Sequence, residues 1–307
     1  MIRRARLWMV VATVAAISAG CGGNSAIRNT TKIAPDAKLV ILDSTREELL
    51  ESYNQIARGV TSLNATVELK PTAGSKYSGV IDEYHEVKAF LVAARPAEIR
   101  VIGQAPVIGT TVFDMASDGE NFQVSIPSKN KFLVGPVAVE HSSTKPIENL
   151  RPQHLLDALL WPEIRKEEAV LFEEFNDEKA RFYVLTELRG GYQTETLRKI
   201  WFNRSNLKVA RMQILGPKGV LLSDTWFSDW EAVDTSAVPR GQAAVAGPVG
   251  YFPRSIRVER PHDDYRLDLQ VAKITLNENV PAERFKLEKP QGSELVQVNS
   301  ASEIKQP

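Results

Sequence analysis

The residues of this 307-residue chain that could do chemistry are few and dispersed. Asp82-Glu83-Tyr84-His85-Glu86 gathers carboxylates round an imidazole, the side-chain set of a metal site or an acid–base pair. On an extended strand alternate residues point to opposite faces, so Glu83 and His85 share a side while Asp82 and Glu86 do not. The segment therefore reads as a solvated polar edge. His262-Asp263-Asp264 has the composition of a hairpin turn, and His141 and His154 stand apart from other ligands. The chain holds no G-x-S-x-G, no Gly-rich phosphate loop, no G-x-G-x-x-G and no H-E-x-x-H. A hydrolase reading would have to use His85, Asp114 and Asp118, which share no motif. The expectation is a protein without catalytic residues, metal or cofactor. Lysine plus arginine and aspartate plus glutamate both number 38, so no basic field exists to gather nucleic acid.

Cys21 is the only cysteine, which excludes an internal disulfide and any zinc site of several cysteines. Its position gives it another use. Arg3, Arg4 and Arg6 precede an uncharged apolar run from Leu7 to Ile17, followed by the small residues Ser18-Ala19-Gly20. That is the order of an export signal, and the run is shorter than the roughly 20 residues a spanning helix needs. With Gly22 and Gly23 after the thiol, residues 1–20 resemble a bacterial lipoprotein signal peptide. Such processing puts a diacylglyceryl group on Cys21, cuts after Gly20 and acylates the new amino group, an anchor of two or more chains that holds a protein on a membrane without spanning it. The pattern departs at Ser18, where an aliphatic residue is usual. The alternative is an ordinary secretory signal followed by an unrelated cysteine. Residues 1–20 hold three arginines and no acid, so the rest carries 35 basic against 38 acidic side chains, a formal charge of −3. Residues 21–43 read as a tether, and Gly22, where an aspartate would favour the inner membrane, leans the expectation toward the outer one.

The elements that must position any binding surface follow from periodicity. Ser44-Thr45-Arg46-Glu47 has capping-box spacing, and Leu49, Tyr53, Ile56, Val60 and Leu63 recur at steps of four and three, with Asn54 among the polar positions. An amphipathic helix laid on something larger is expected. From Asn64 the period changes to two, giving strands at 64–70, 77–82, 86–94, 97–103, 110–116, 121–126 and 131–134. After a break at 135–149, Pro152 opens a short helix carrying Leu155, Leu156, Leu159 and Leu160. Strands resume at 168–175, 180–188, 195–203, 207–215 and 220–228. A Pro, Gly and Ala rich loop at 236–253 leads to a hairpin of 255–260 and 265–275. The tail 291–307 is polar, frayed or contributing one edge strand at Glu294–Val298. About a dozen strands with helices inserted early and midway argue for a mainly β protein, one strongly curved antiparallel sheet wrapped round a few helices in a single domain, 44–290.

Ile99, Val101, Phe113, Met115, Phe122, Val124 and Ile126 make the plainest apolar faces. They form either core or, where the sheet has more apolar surface than the helices cover, the lining of a cavity for an acyl chain. Val107 and Ile108 make an apolar loop tip between Pro106 and Gly109. The tip either folds back under the sheet or touches membrane or cargo.

The order of these elements is familiar. The segments ELLESYNQIARGVTSLNATVEL, RPAEIRVIG, FDMASDGENFQVSIP, NLRPQHLLDALL and LDLQVAKITLNENVPAERFKL resemble the LolA/LolB-like superfamily of periplasmic lipoprotein carriers and outer-membrane receptors. The resemblance spans about 44–290. It implies an incomplete antiparallel barrel closed by helices over a hydrophobic cavity that holds lipid, and a lipid anchor makes the chain more like the receptor than the soluble carrier. The family's cavity arginine has no clear counterpart here, and the 236–253 insertion departs from both types. The function expected is a lipid-anchored envelope protein that faces the periplasm and binds acyl chains of lipoproteins or lipids. The alternative is an assembly lipoprotein binding a protein partner through its sheet.

Overall fold

A computed structural model describes residues 40–76, 78–137, 151–177, 180–190, 194–233 and 250–298. Cys21, the export signal, most of the tether, the break at 138–149, the body of the 236–253 loop and the end of the tail lie outside the described residues.

Helix α1 spans Arg46–Gly59 and starts one residue later than its sequence spacing predicts. Thr45, not Ser44, is the cap: its hydroxyl accepts from the Glu48 amide at 3.2 Å, and the Glu48 carboxylate accepts from the Thr45 amide at 2.9 Å. Ser44 adds its own hydroxyl to the same carboxylate at 3.0 Å. The helix ends at Gly59, so Val60 is its cap and Leu63 already belongs to the next strand. Asn54 is buried, contrary to expectation, because its amide exchanges hydrogen bonds of 2.9 and 3.0 Å with the backbone of Ile164. Helix α2 spans Pro152–Leu159 and buries Leu155, Leu156, Ala158 and Leu159.

Among the described residues fifteen strands form one open sheet: β1 Ser62–Ser75, β2 Val80–Glu83, β3 Val87–Ala94, β4 Glu98–Gln104, β5 Thr111–Ser117, β6 Asn121–Ile126, β7 Lys131–Pro136, β8 Ala169–Asn176, β9 Arg181–Arg189, β10 Glu195–Asn203, β11 Lys208–Leu215, β12 Leu221–Ala232, β13 Tyr251–Arg260, β14 Tyr265–Leu276 and β15 Glu294–Gln297. The order is β15-β7-β6-β5-β4-β3-β1-β14-β13-β12-β11-β10-β9-β8, with β2 paired to the end of β1. Neighbours are antiparallel except β15 on β7, which takes the edge-strand alternative for part of the tail. The long β1–β14 pairing, Leu63 opposite Leu276 through Ala73 opposite Tyr265, joins the first meander to the last hairpin. Register shifts in β1, β4, β10 and β11 supply bulges, the device that bends and twists a sheet.

Two boundaries differ from the periodicity. β2 begins at Val80, not 77, and all four of its residues are exposed, because it pairs only with Thr72–Ser75 and lies off the main path. β13 begins at Tyr251, so the end of the Pro-rich loop is strand, with Pro253 opposite Trp230.

The concave side holds the core. Tyr53 stacks on Trp161 at 5.4 Å, and Trp161 meets Phe227 and Trp230 edge-on. Helix α2 packs over β4, β5 and β13. Asp157 on this helix is pushed up to about 6 by burial, against the pull of Arg260 and Arg198. A carboxyl whose folded value lies above its ordinary 3.8 gives stability that is complete below about pH 4 and lost as pH rises through about 6. Its neighbour His154 is held well below its ordinary 6.5 by burial, which removes stability as pH falls through 6.5. The two trends oppose each other in one window, so the wild-type profile hides them. Asp157→Asn is expected to gain about 3 kcal/mol relative to wild type between pH 4 and pH 8, read from urea unfolding across that range. A wild-type-minus-variant difference that stays flat refutes the assignment.

Candidate functional site

The sheet forms an open-mouthed cavity of about 510 Å³ between the β14-β1-β3 strands on one side and β5-β6-β7 on the other. Pairing sets its walls. Val101, Met115, Val124 and Leu133 form one row across β4–β7, and Ile99, Ser117, Phe122 and Gly135 form the next. Of the sequence candidates, Phe113, Met115, Phe122, Val124 and Ile126 stand on the cavity wall. Ile99 and Val101 do not: they share those rows but sit on β4, under α2, and are fully buried in core.

Two glycines make room for the aromatic walls. Gly103 faces Phe113 across β4–β5, and a Cβ there would stand 2.4 Å from the ring. Gly135 faces Phe122 across β6–β7, and a Cβ there would stand 3.0 Å from that ring and 2.6 Å from the Val298 carbonyl. Each ring therefore lies over bare backbone, the aromatic–glycine pairing that pins strand register. Phe122 is covered in turn by the guanidinium of Arg151, 4.3 Å from ring centre, and Arg151 itself is 5% exposed.

The far wall is Pro71, Ala73, Tyr265 and Leu267. The Tyr265 hydroxyl meets His154 Nδ1, and their rings stack 5.9 Å apart. Burial pushes the tyrosine up and the histidine down, so the pair is neutral. At the mouth stand Tyr84, His85 and Glu86, all exposed. Beside it the β4–β5 turn, closed by Gly109 at φ +65° and by Ala105 N–H to the Thr110 carbonyl at 2.9 Å, turns Val107 and Ile108 outward at 95% and 76% exposure. The tip does not fold back under the sheet. Val80 and Ile81 of β2, 60% and 52% exposed, repeat the pattern on the neighbouring hairpin.

The residues that a hydrolase would need sit at three separate places. His85 is at the cavity mouth. Asp114 is ion-paired with Arg100 at 2.8 Å. Asp118 shapes the β5–β6 turn by accepting from the amides of Glu120 and Asn121. Glu83, on β2, pairs with Lys70 at 2.8 Å, and His85 lies beyond the end of that strand, so the carboxylates do not converge on the imidazole. Among the described residues no cluster of three or more His, Cys, Asp or Glu is placed to hold a metal, and no helix is long and apolar enough to cross a membrane. Arg151, Tyr265 and Leu267 were not among the sequence candidates. Leu267 was readable from the alternation of 265–275, whereas Arg151 precedes the first turn of α2 and carries no period.

An open antiparallel half-barrel, helices on its concave side and an apolar cavity between its arms, is the architecture that the sequence resemblance implied. Solved structures similar to the chain include a LolA superfamily protein from Nitrosomonas europaea, at 14% identity over 80% of this chain and 99% of that one, TM-score 0.47. A DUF1329 family protein from Desulfovibrio piger matches at 13% identity over 78% and 95%, TM-score 0.48. A proposed outer membrane lipoprotein-sorting protein domain from Vibrio parahaemolyticus matches at 11% identity over 78% and 97%, TM-score 0.47. No family model matches the chain, and no curated protein matches it.

Proposed function

We propose that this protein is a bacterial envelope lipoprotein that holds the acyl chains of lipoproteins or lipids in the cavity of its half-barrel. The observation that carries the reading is the cavity itself: about 510 Å³, with Phe113, Met115, Phe122, Val124, Ile126 and Leu133 along one wall. Binding is burial of hydrocarbon, worth about 0.8 kcal/mol per methylene. In this reading residues 1–20 are removed, Cys21 bears the lipid anchor, residues 22–43 are the tether, and the domain faces the periplasm, at the outer membrane given Gly22. Val107 and Ile108, with Val80 and Ile81 beside them, touch the membrane or the cargo at the cavity mouth.

Native mass spectrometry of the protein carrying Cys21→Ser tests the cavity; co-purified lipid is expected, and a lipid-free protein that takes up no added chain refutes it. Metabolic labelling with palmitate tests the anchor: label in wild type, lost in Cys21→Ser, is expected, and label in neither removes the lipoprotein assignment.

A second reading rests on β8. This edge strand is exposed along nearly its whole length and shows Leu171, Phe172 and Phe175, so it offers a partner's strand both hydrogen-bonding groups and apolar contacts. Leu171→Lys with Phe175→Lys would release such a partner and leave lipid uptake unchanged.

A further inference from the structure

We infer that the cavity takes one hydrocarbon chain at a time, so that its ligand is a single-chain amphiphile and not the two- or three-chain anchor of a lipoprotein. The inference rests on the proposed lipid-binding reading and narrows it. A volume of about 510 Å³ lies inside the roughly 300–1,000 Å³ of pockets that bury one small-molecule ligand. It also occupies only one half of the sheet, because the other half is filled by core. β8 to β13 contribute no residue to the cavity; that half closes on Tyr53, Trp161, Phe202 and Phe227.

The walls have little room to spread. The Phe113 ring lies against the backbone of Gly103, and the Phe122 ring is held between Gly135 and the Arg151 guanidinium. Widening the cavity for a second chain means moving strand backbone, which a close-packed interior resists. The wall chemistry sets the orientation. The lining is mainly apolar, with the Tyr265 hydroxyl engaged by His154 and the Arg151 guanidinium lying over the Phe122 ring, so a charged head group has its place at the mouth near Tyr84, His85 and Glu86, which are in water. A ligand with two tails would seat one and leave the other exposed, losing the burial that drives binding. A free fatty acid and a lysophospholipid both satisfy these terms.

The test uses the full chain with Cys21→Ser and four probes at matched chain length: palmitate, palmitoyl lysophosphatidylethanolamine, dipalmitoyl phosphatidylethanolamine and a tripalmitoylated cysteinyl peptide. Native mass spectrometry gives stoichiometry and titration calorimetry gives affinity. The expected result is one chain per protein for both single-chain probes, bound at least about tenfold more tightly than either multi-chain probe. Palmitate alone, or the lysolipid alone, meeting that standard supports the inference and names the source of the chain. A triacyl peptide bound as tightly as palmitate overturns the inference and leaves the lipid-binding function standing. Failure of all four probes overturns both.

Discussion

Replacing Arg198 by alanine is expected to destabilise the protein by about 3–5 kcal/mol, the cost of leaving a buried charge without its counter-ion. Arg198 Nε donates to Glu187 Oε2 at 2.5 Å, and the two side chains are 8% and 1% exposed. A bulge in β10 sets Arg198 opposite Glu187 on β9, both on the inward face with Leu185 and Ile200. The second arm of the guanidinium does different work. Its Nη1 donates to the Tyr53 hydroxyl and to the Pro162 carbonyl, each at 2.7 Å. Pro162 begins the link from α2 to β8, which is also held by Asn54 at Ile164 and by Arg95 Nη2 at the Trp161 carbonyl, 2.7 Å. Arg198 therefore ties the sheet to α1 and to the link that follows α2. Burial pushes the Glu187 carboxyl up, with Arg198 opposing it. Without Arg198 the carboxylate takes up a proton more readily, so the deficit shrinks as pH falls. The double replacement Glu187→Leu with Arg198→Met removes both charges and is expected to cost less than Arg198→Ala, leaving mainly the Pro162 and Tyr53 groups without a partner. Urea unfolding followed by tryptophan fluorescence measures all three proteins. A single-variant loss under about 1 kcal/mol, or a double variant weaker than the single, contradicts this account.

What sequence periodicity could see here is what repeats. Strand alternation and the turns between them placed nearly every strand within a few residues, because most strands have one buried face and a one-residue slip would expose it. It missed features decided across the sheet. Asn54 looks like a surface residue of α1 until the Ile164 backbone, 110 positions away, needs a partner. Ile99 and Val101 have the same apolar alternation as Met115 and Val124, and which of them face the cavity depends on where the packing across the sheet leaves space. Gly103 and Gly135 were readable as places where something comes close, since an isolated glycine weakens a strand. That the visitor in each case is a phenylalanine ring is a fact of register. Buried charge was the least legible: Glu187 follows Tyr183 and Leu185, and Arg198 precedes Ile200 and Phe202, on the inward alternation of their strands, but charged residues at such positions find their partner only through the β9–β10 register.

Val124→Trp is expected to abolish chain binding while keeping the fold. Val124 lies mid-wall on β6, between Met115 on β5 and Leu133 on β7, and is 8% exposed. Enlarging a residue in a filled core costs about 1–3 kcal/mol through displaced neighbours, but here the added indole has the cavity to enter, so the cost is at the lower end. The loss falls on the ligand. For the wild-type protein, a chain supplied at 100 times its dissociation constant adds about 2.7 kcal/mol to folding by mass action. In a domain of this size that raises Tm by about 5–10 °C. The indole and the chain compete for one volume, so the shift on adding palmitate should vanish in Val124→Trp, with the ligand-free Tm near that of wild type. Gln123→Trp is the control, because Gln123 is the next residue along β6 and points to the opposite face; it carries the same added bulk and should keep the full shift. If Val124→Trp still responds to palmitate as wild type does, the chain binds elsewhere, and the apolar loop tips at Val107 and Ile108 become the surface to examine next. If both variants lose the shift, the effect comes from β6 itself and not from occupancy of the cavity.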